Sequence, residues 1–178
     1  MMRALALFLT TVPTMQHAQE AHLHLNPRWE YVADTVMGGV SRGQARRETV
    51  QGREAVRLTG TVSLDNNGGF VQIAFDVDKA GGRDIRDWTG LQLEVLGNSE
   101  NYDLRVRTDQ LTRPWQSFRA DFIAPNSWTT VRIPFDELTP YRTEARFDPA
   151  RLRRIGVVAV GRVMQADIAV AGISFYRQ

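Results

Sequence analysis

Three groups of residues in this sequence are of a type and spacing that could do chemistry. The first is Asp34-Thr35-Val36-Met37-Gly38-Gly39-Val40-Ser41, where an apolar pair runs into two glycines between the flanking aromatics Trp29 and Tyr31 on one side and a serine on the other. Glycine admits positive φ and close backbone approach, and bare N–H groups at such a place can cradle an anion or a partner's backbone. Asp34, Met37, Gly38, Gly39 and Ser41 are therefore candidate binding residues. It is not a phosphate loop, because the Gly-Lys-Ser/Thr ending is missing and no helical pattern follows. A tight turn with Met37 plugged into the core is the competing reading.

The second group is Asn66 and Asn67, within Leu64-Asp65-Asn66-Asn67-Gly68-Gly69-Phe70. Side-chain amides in such a loop can hydrogen-bond a sugar, and the Asp65 and Asn66 oxygens could ligate Ca²⁺; a plain hairpin turn accounts for the same residues. The third group is Arg105, Arg107, Arg119 and Arg132, all on the polar phase of expected strands, with Tyr102 and Trp115 flanking the first three. Adjacent strands would turn them into a face that grips carboxylates or phosphates bidentately, and Arg107 and Trp115 are its candidate binding residues. Pairing with Asp103, Asp109 and Asp121 on a solvated face is the alternative.

What is missing narrows the chemistry further. There is no cysteine, all three histidines fall within the first 24 residues, and Lys79 is the sole lysine beside 21 arginines. Thiol nucleophiles, cysteine-based metal sites and iron–sulfur clusters are excluded. A serine nucleophile would lack a histidine base, and Lys79 sits in a turn-like Asp-Lys-Ala-Gly-Gly. No pair of carboxylates is marked out by an apolar setting that would raise a pKa, so a glycoside hydrolase is the weakest of three functional readings. His22 and His24 share one side of an extended chain but lack a third ligand, and read as linker. No catalytic residues, no metal and no cofactor are expected. The formal charge is +2 and no run of basic residues exceeds two, which argues against nucleic acid as a partner.

The elements that must position these residues are strands. Apolar residues alternate at Val71, Ile73, Phe75 and Val77, at Leu91, Leu93 and Val95, at Leu104 and Val106, at Phe118, Ala120 and Phe122, and at Val131 and Ile133. A continuous apolar run over 155–160 predicts a strand buried on both faces, and 168–176 closes the chain as another. Turn signals separate them at Gln51-Gly52, Asn66-Asn67-Gly68-Gly69, Gly81-Gly82, Gly97-Asn98, Pro125-Asn126 and Pro149, with single helical turns expected near Asp136 and Asp148. Eight to ten such strands predict an all-β jelly-roll sandwich, one domain over 26–178. Residues 1–25 read as a signal peptide and linker: Met1-Met2-Arg3 precedes an apolar stretch too short to span a bilayer, and nothing later is long enough to do so. That predicts a periplasmic or secreted protein without a transmembrane segment once the signal is cleaved, with a cytoplasmic location as the alternative.

Taken in order, Trp29-x-x-x-Ala-Asp34-x-Val-Met37-Gly38-Gly39-x-Ser41, Gly60-x-Val-Ser63-Leu64-x-Asn66-Asn67-Gly68-Gly69-Phe70, Tyr102-x-Leu-Arg-x-Arg107-Thr-Asp109, Trp115-Gln-Ser-Phe-Arg-Ala-x-Phe122 and Trp128-x-x-Val-x-Ile-Pro134-Phe135 resemble the complex I intermediate-associated protein 30 domain. The resemblance implies a galactose-binding-domain-like β-sandwich. It also implies an assembly-factor-like chaperone role, in which mitochondrial members bind subunits of the respiratory NADH:ubiquinone oxidoreductase and no catalytic residues are assigned. The expected partners are thus proteins, respiratory-complex subunits among them. A carbohydrate-binding module is the alternative, since Tyr102, Trp115 and Trp128 could stack on sugar rings.

Overall fold

The computed structural model describes residues 20–177; the signal reading of the first residues lies outside them. The strands are β1 (Ala21–His24), β2 (Glu30–Ala33), β3 (Arg42–Val50), β4 (Arg53–Val62), β5 (Phe70–Asp76), β6 (Gly90–Gly97), β7 (Asn101–Thr108), β8 (Ser117–Ile123), β9 (Thr129–Pro134), β10 (Thr139–Tyr141), β11 (Leu152–Val160) and β12 (Met164–Arg177). They form two antiparallel sheets. The first runs β3-β4-β12-β6-β9, with β1 also on β12; the second runs β10-β8-β7-β11-β5-β2. β12 is long enough that β4 pairs with its first half and β1 with its last residues, while β6 pairs from Ile168 to Tyr176 across a bulge at Val170/Gly172. This is the all-β jelly-roll sandwich that the alternation predicts.

The alternating residues supply the inner faces. Leu58, Leu91, Leu93, Ile168 and Phe175 from the first sheet meet Ile73, Phe75, Leu104, Val106, Phe118 and Ile155 from the second in one core, burying each side chain by roughly 1.5–3 kcal/mol of transfer free energy. β11 is buried at five consecutive positions, Ile155 to Ala159, because it lies between β7 and β5 and beneath surface side chains on its outer face. Single 3₁₀ turns at Phe135–Glu137 and Pro149–Arg151 stand where helical turns are expected.

Five strands escape the periodicity: β1, β2, β3, β4 and the three-residue β10. β3 has no apolar alternation because it is an edge strand, exposed or half-buried at all but its last position, and its arginines discourage a further strand from adding there. Its partner β4 follows through Gln51 and Gly52, both at positive φ (44° and 78°), a two-residue hairpin turn of the kind whose twist suits the flanking strands. β1 and β2 have four residues each, too short for a pattern. His22 and His24 consequently do not lie in a linker: they sit in β1, paired with Tyr176 and Ser174 of β12.

Candidate functional site

The segment 34–41 and the loop 63–69 are joined through one carboxylate. Asp34 is fully buried. Its Oδ1 accepts the Ser41 backbone N–H at 3.0 Å, and its Oδ2 accepts the Ser41 hydroxyl together with the backbone N–H groups of Gly69 at 2.6 Å and Phe70 at 3.3 Å. The Ser41 Oγ in turn accepts the Ser63 N–H at 3.0 Å. Burial by itself would raise the Asp34 carboxyl, but the donors from Ser41, Gly69 and Phe70 outweigh it and hold the group below the usual aspartate value. The glycines make room for this clasp: a Cβ on Gly39 would overlap the Asp34 carboxyl, and one on Gly68 would sit 2.5 Å from Asp34 Oδ2. Gly38 takes φ +89° to close the 3₁₀ turn Asp34–Met37, and Asn66 and Asn67 both take φ +57°.

The clasp leaves apolar side chains outside. Met37 is 61% exposed, so it does not plug the core, and Val36 at 71%, Val40 at 39% and Leu64 at 48% emerge from the same two loops. The β11–β12 turn joins them, since Gly161 N donates to Gly69 O at 2.9 Å and Val163, two residues on, is 71% exposed. Arg162 reaches from this turn to Glu100 and to the carbonyl of Asn101, whose strand partner is Ile123, 63% exposed. Among the described residues, every large apolar side chain left in solvent except Trp115 lies at this end of the sandwich. Scattered exposed apolars are ordinary; a set gathered at one end on tied loops is a candidate contact surface.

The arginine group lies elsewhere. Arg105, Arg107 and Arg119 share the outer face of the second sheet, where Arg105 stands opposite Arg119 and Arg107 opposite Arg154. Arg132 does not join them: it is on β9 in the first sheet, bound to Gln92 and Glu20. Its expected place was taken by Arg154, hidden in sequence at the edge of the apolar run over 155–160. Tyr141 of β10 lies under Arg119 at 4.6 Å, Arg105 at 5.1 Å and Arg142 at 5.3 Å, centroid to guanidinium. Asp103 pairs with Arg105, as the alternation with acids predicts, whereas Asp109 pairs with Arg151 and Arg153. Arg154 is held by Asp76 and Glu30. Among the described residues Arg107 has no carboxylate partner; its side chain donates to the Arg113 carbonyl at 3.0 Å. Arg113 stacks on Trp115, 6.0 Å to the ring centroid, and Trp115 is 49% exposed.

The candidate residues thus fall at two places. Asp34, Met37, Gly38, Gly39, Ser41, Asn66 and Asn67 gather at one end of the sandwich; Arg107 and Trp115 lie at the far end of β7, on the second sheet. Within the first set the buried Asp34 and Ser41 position the loop, and Met37 is left in solvent. Two aromatic expectations are corrected. Tyr102 is buried, its hydroxyl donating to Asn98 Oδ1 at 2.7 Å and accepting the Asp167 N–H at 2.9 Å, and Trp128 lies half-buried with its indole N–H on Val50 O at 3.1 Å. No group of three or more metal-ligating side chains is found among the described residues, and no described helix is long and apolar enough to cross a membrane.

The sequence signature of complex I intermediate-associated protein 30, CIA30, matches residues 16–169. The chain belongs to the CIA30 family. No curated protein matches this CIA30 chain in sequence. In structure it is similar to the family 11 carbohydrate-binding module from Clostridium thermocellum in complex with a β-1,3-1,4-mixed-linked tetrasaccharide, with 11% identity over 86% of this chain and 94% of that one and a TM-score of 0.70. The family 11 module of the cellulosomal cellulase Lic26A-Cel5E of the same organism gives 11% identity, 90% and 95% coverage and a TM-score of 0.69. A family 30 carbohydrate-binding module gives 13% identity, 87% coverage of each chain and a TM-score of 0.60. At such identities these likenesses speak for the shared jelly-roll sandwich, a fold that hosts many functions.

Proposed function

We propose that this CIA30 protein is a non-catalytic, assembly-factor-like binding module that engages a protein partner through the loop end of its sandwich. The observation that carries the reading is the Asp34 clasp: the buried Asp34 and Ser41 tie the two loops together while Val36, Met37, Val40 and Leu64 stand out in solvent. Rigid presentation of an apolar patch lowers the ordering cost of association, which is what a docking surface requires. The family's name supplies the class of partner, an intermediate of a respiratory membrane complex. With an export signal read over the first residues, we propose that the encounter takes place on the periplasmic side of a membrane, with the cytoplasm as the alternative. The test is a photo-crosslinking amino acid placed at Met37 in intact cells, with exposed Arg46 as the comparison position. Adducts with subunits of a membrane complex from Met37 and none from Arg46 are expected; equal or absent labelling at both positions overturns the reading.

A second reading, carbohydrate recognition, is favoured by Trp115, the half-exposed aromatic ring beside the arginine face, and by the naming of the similar structures as carbohydrate-binding modules. A glycan array, read with and without Ca²⁺ because of Asp65 and Asn66, tests it; an array without any hit sinks it.

A further inference from the structure

The outer face of the second sheet carries a local electrostatic deficit. Tyr141 of β10 pairs with Ser117 of β8, and Arg107 of β7 pairs with Arg154 of β11, which pairs with Asp76 of β5; the β7–β8 ladder runs up to Val106 and Phe118, the residues next to Arg107 and Ser117. Two side-chain polar atoms of this face are buried without a hydrogen-bond partner among the described residues: Arg107 Nε and Ser117 Oγ. Ser117 as a whole is only 3% exposed. Arg107 is half-buried, faces the like charge of Arg154, and has no acidic partner among the described residues; burial and that neighbour both press against its charge and lower its pKa. The acids nearest Arg154, Asp76 and Glu30, are bound to its two terminal nitrogens. A partly desolvated guanidinium without a counter-charge is costly unless something anionic arrives to meet it.

The surroundings say what kind of anion. Arg119 and Arg142 flank Arg107's side of the face over Tyr141, and the loop 109–116 is pinned beside it by Arg107 on the Arg113 carbonyl and by Gln116 on the Arg142 carbonyl. That loop presents the Trp115 ring. A charged planar fork next to a half-exposed aromatic ring matches a sugar acid, which offers a carboxylate and an apolar C–H face on the same ring. An acidic peptide fits less well. β7 is paired on both sides, to β8 and β11, so no strand can add there and a peptide would have only side-chain contacts.

We infer that the Arg107–Trp115 end of this face binds a uronic-acid polysaccharide, with Arg107 and Arg119 taking carboxylates and Trp115 stacking on a sugar ring. The inference rests on the carbohydrate reading above and narrows it to acidic chains. It is independent of the loop end, which lies at the other end of β7.

Titration calorimetry on the full chain tests it, with oligogalacturonate and oligomannuronate as acidic probes, cellohexaose as the neutral one and polyglutamate as the acidic peptide. At least one uronate should bind, more weakly as salt rises. Arg107→Gln and Trp115→Ala should each weaken that binding about tenfold or more, and Arg46→Gln, on the exposed edge strand of the other sheet, should leave it unchanged. If Arg107→Gln does not fold by circular dichroism, Arg119→Gln, on a side chain 44% exposed, must show the loss instead. Binding of cellohexaose as tight as that of both uronates overturns this inference but leaves the carbohydrate reading standing; no binding by any sugar overturns both. Polyglutamate binding as tightly as the uronates, or uronate binding indifferent to Arg107 and Arg119, also overturns it.

Discussion

The carboxylate of Asp34 accepts the Gly69 amide hydrogen at 2.6 Å, joining positions 35 apart in the chain and tying the loop before β3 to the loop before β5. The same oxygen takes the Ser41 hydroxyl and the Phe70 N–H. One buried anion thus satisfies backbone donors that no strand ladder reaches, which explains why an acidic residue is tolerated with no exposure at all.

Replacing Asp34 by Asn keeps the size and puts an amide donor against donors, leaving buried N–H groups unpaired. The expected loss is about 2–4 kcal/mol at neutral pH, measured by urea unfolding. Because the folded carboxyl lies below the ordinary aspartate value, its contribution is fully present above the unfolded pKa of about 4 and disappears as pH falls through the folded one. Unfolding midpoints of the parent and Asp34→Asn should therefore converge on acidification below about pH 4; a gap that stays constant to strong acid contradicts the assignment.

Gly38 and Gly39 look alike in sequence and should differ in the tube. Alanine at Gly38 meets open space and carries only the strain of φ +89°, about 1–2 kcal/mol. Alanine at Gly39 strikes the Asp34 carboxyl with its Cβ 2.8 Å from Asp34 Cβ, and displacing the clasp should cost about 3 kcal/mol or more. Thermal melts of the two single variants should rank Gly39→Ala below Gly38→Ala.

Tyr102 is a structural hydroxyl. Burial pushes its ionisation up to about 12, and the group bridges Asn98 to the Asp167 N–H. Tyr102→Phe should lose about 1–3 kcal/mol in urea unfolding, since the Asp167 amide is left without its acceptor.

At the loop end, Met37→Asp and Val163→Asp act on exposed side chains and should change unfolding free energy by less than about 0.5 kcal/mol. Crosslinking to the protein partner from a photo-crosslinking amino acid at Leu64, exposed on the same loop end, should nonetheless be lost in both. Retained crosslinking with unaltered stability would remove these residues from the docking surface.

Arg57 offers a contrast to Asp34. It holds Asp167 with Nε and Nη2 at 2.7 and 2.8 Å and Glu48 at 3.1 Å, yet its side chain is 37% exposed. Solvent screening should keep the cost of Arg57→Ala to about 1 kcal/mol, falling further in high salt, as urea unfolding at two ionic strengths will show.

Legibility in the sequence followed burial. Strands with one face in the core, such as β5, β6 and β7, announce themselves through alternation, and β11 through its apolar run, because each reads out a single local rule of side-chain direction. β3 did not, since an edge strand exposed on nearly all positions has no apolar phase to display. The chain by itself determined the sandwich, the glycine turns, the CIA30 signature and the absence of cysteine chemistry. Only the tertiary structure decided that Asp34 is a buried clasp while Met37 faces solvent, that Arg132 belongs to the other sheet while Arg154 takes its place, and that Arg107 stands without a carboxylate partner among the described residues. Periodicity tells which side of its own strand a residue occupies. Which partner meets it there is set by sheet order and register, and those depend on contacts between residues far apart in the chain.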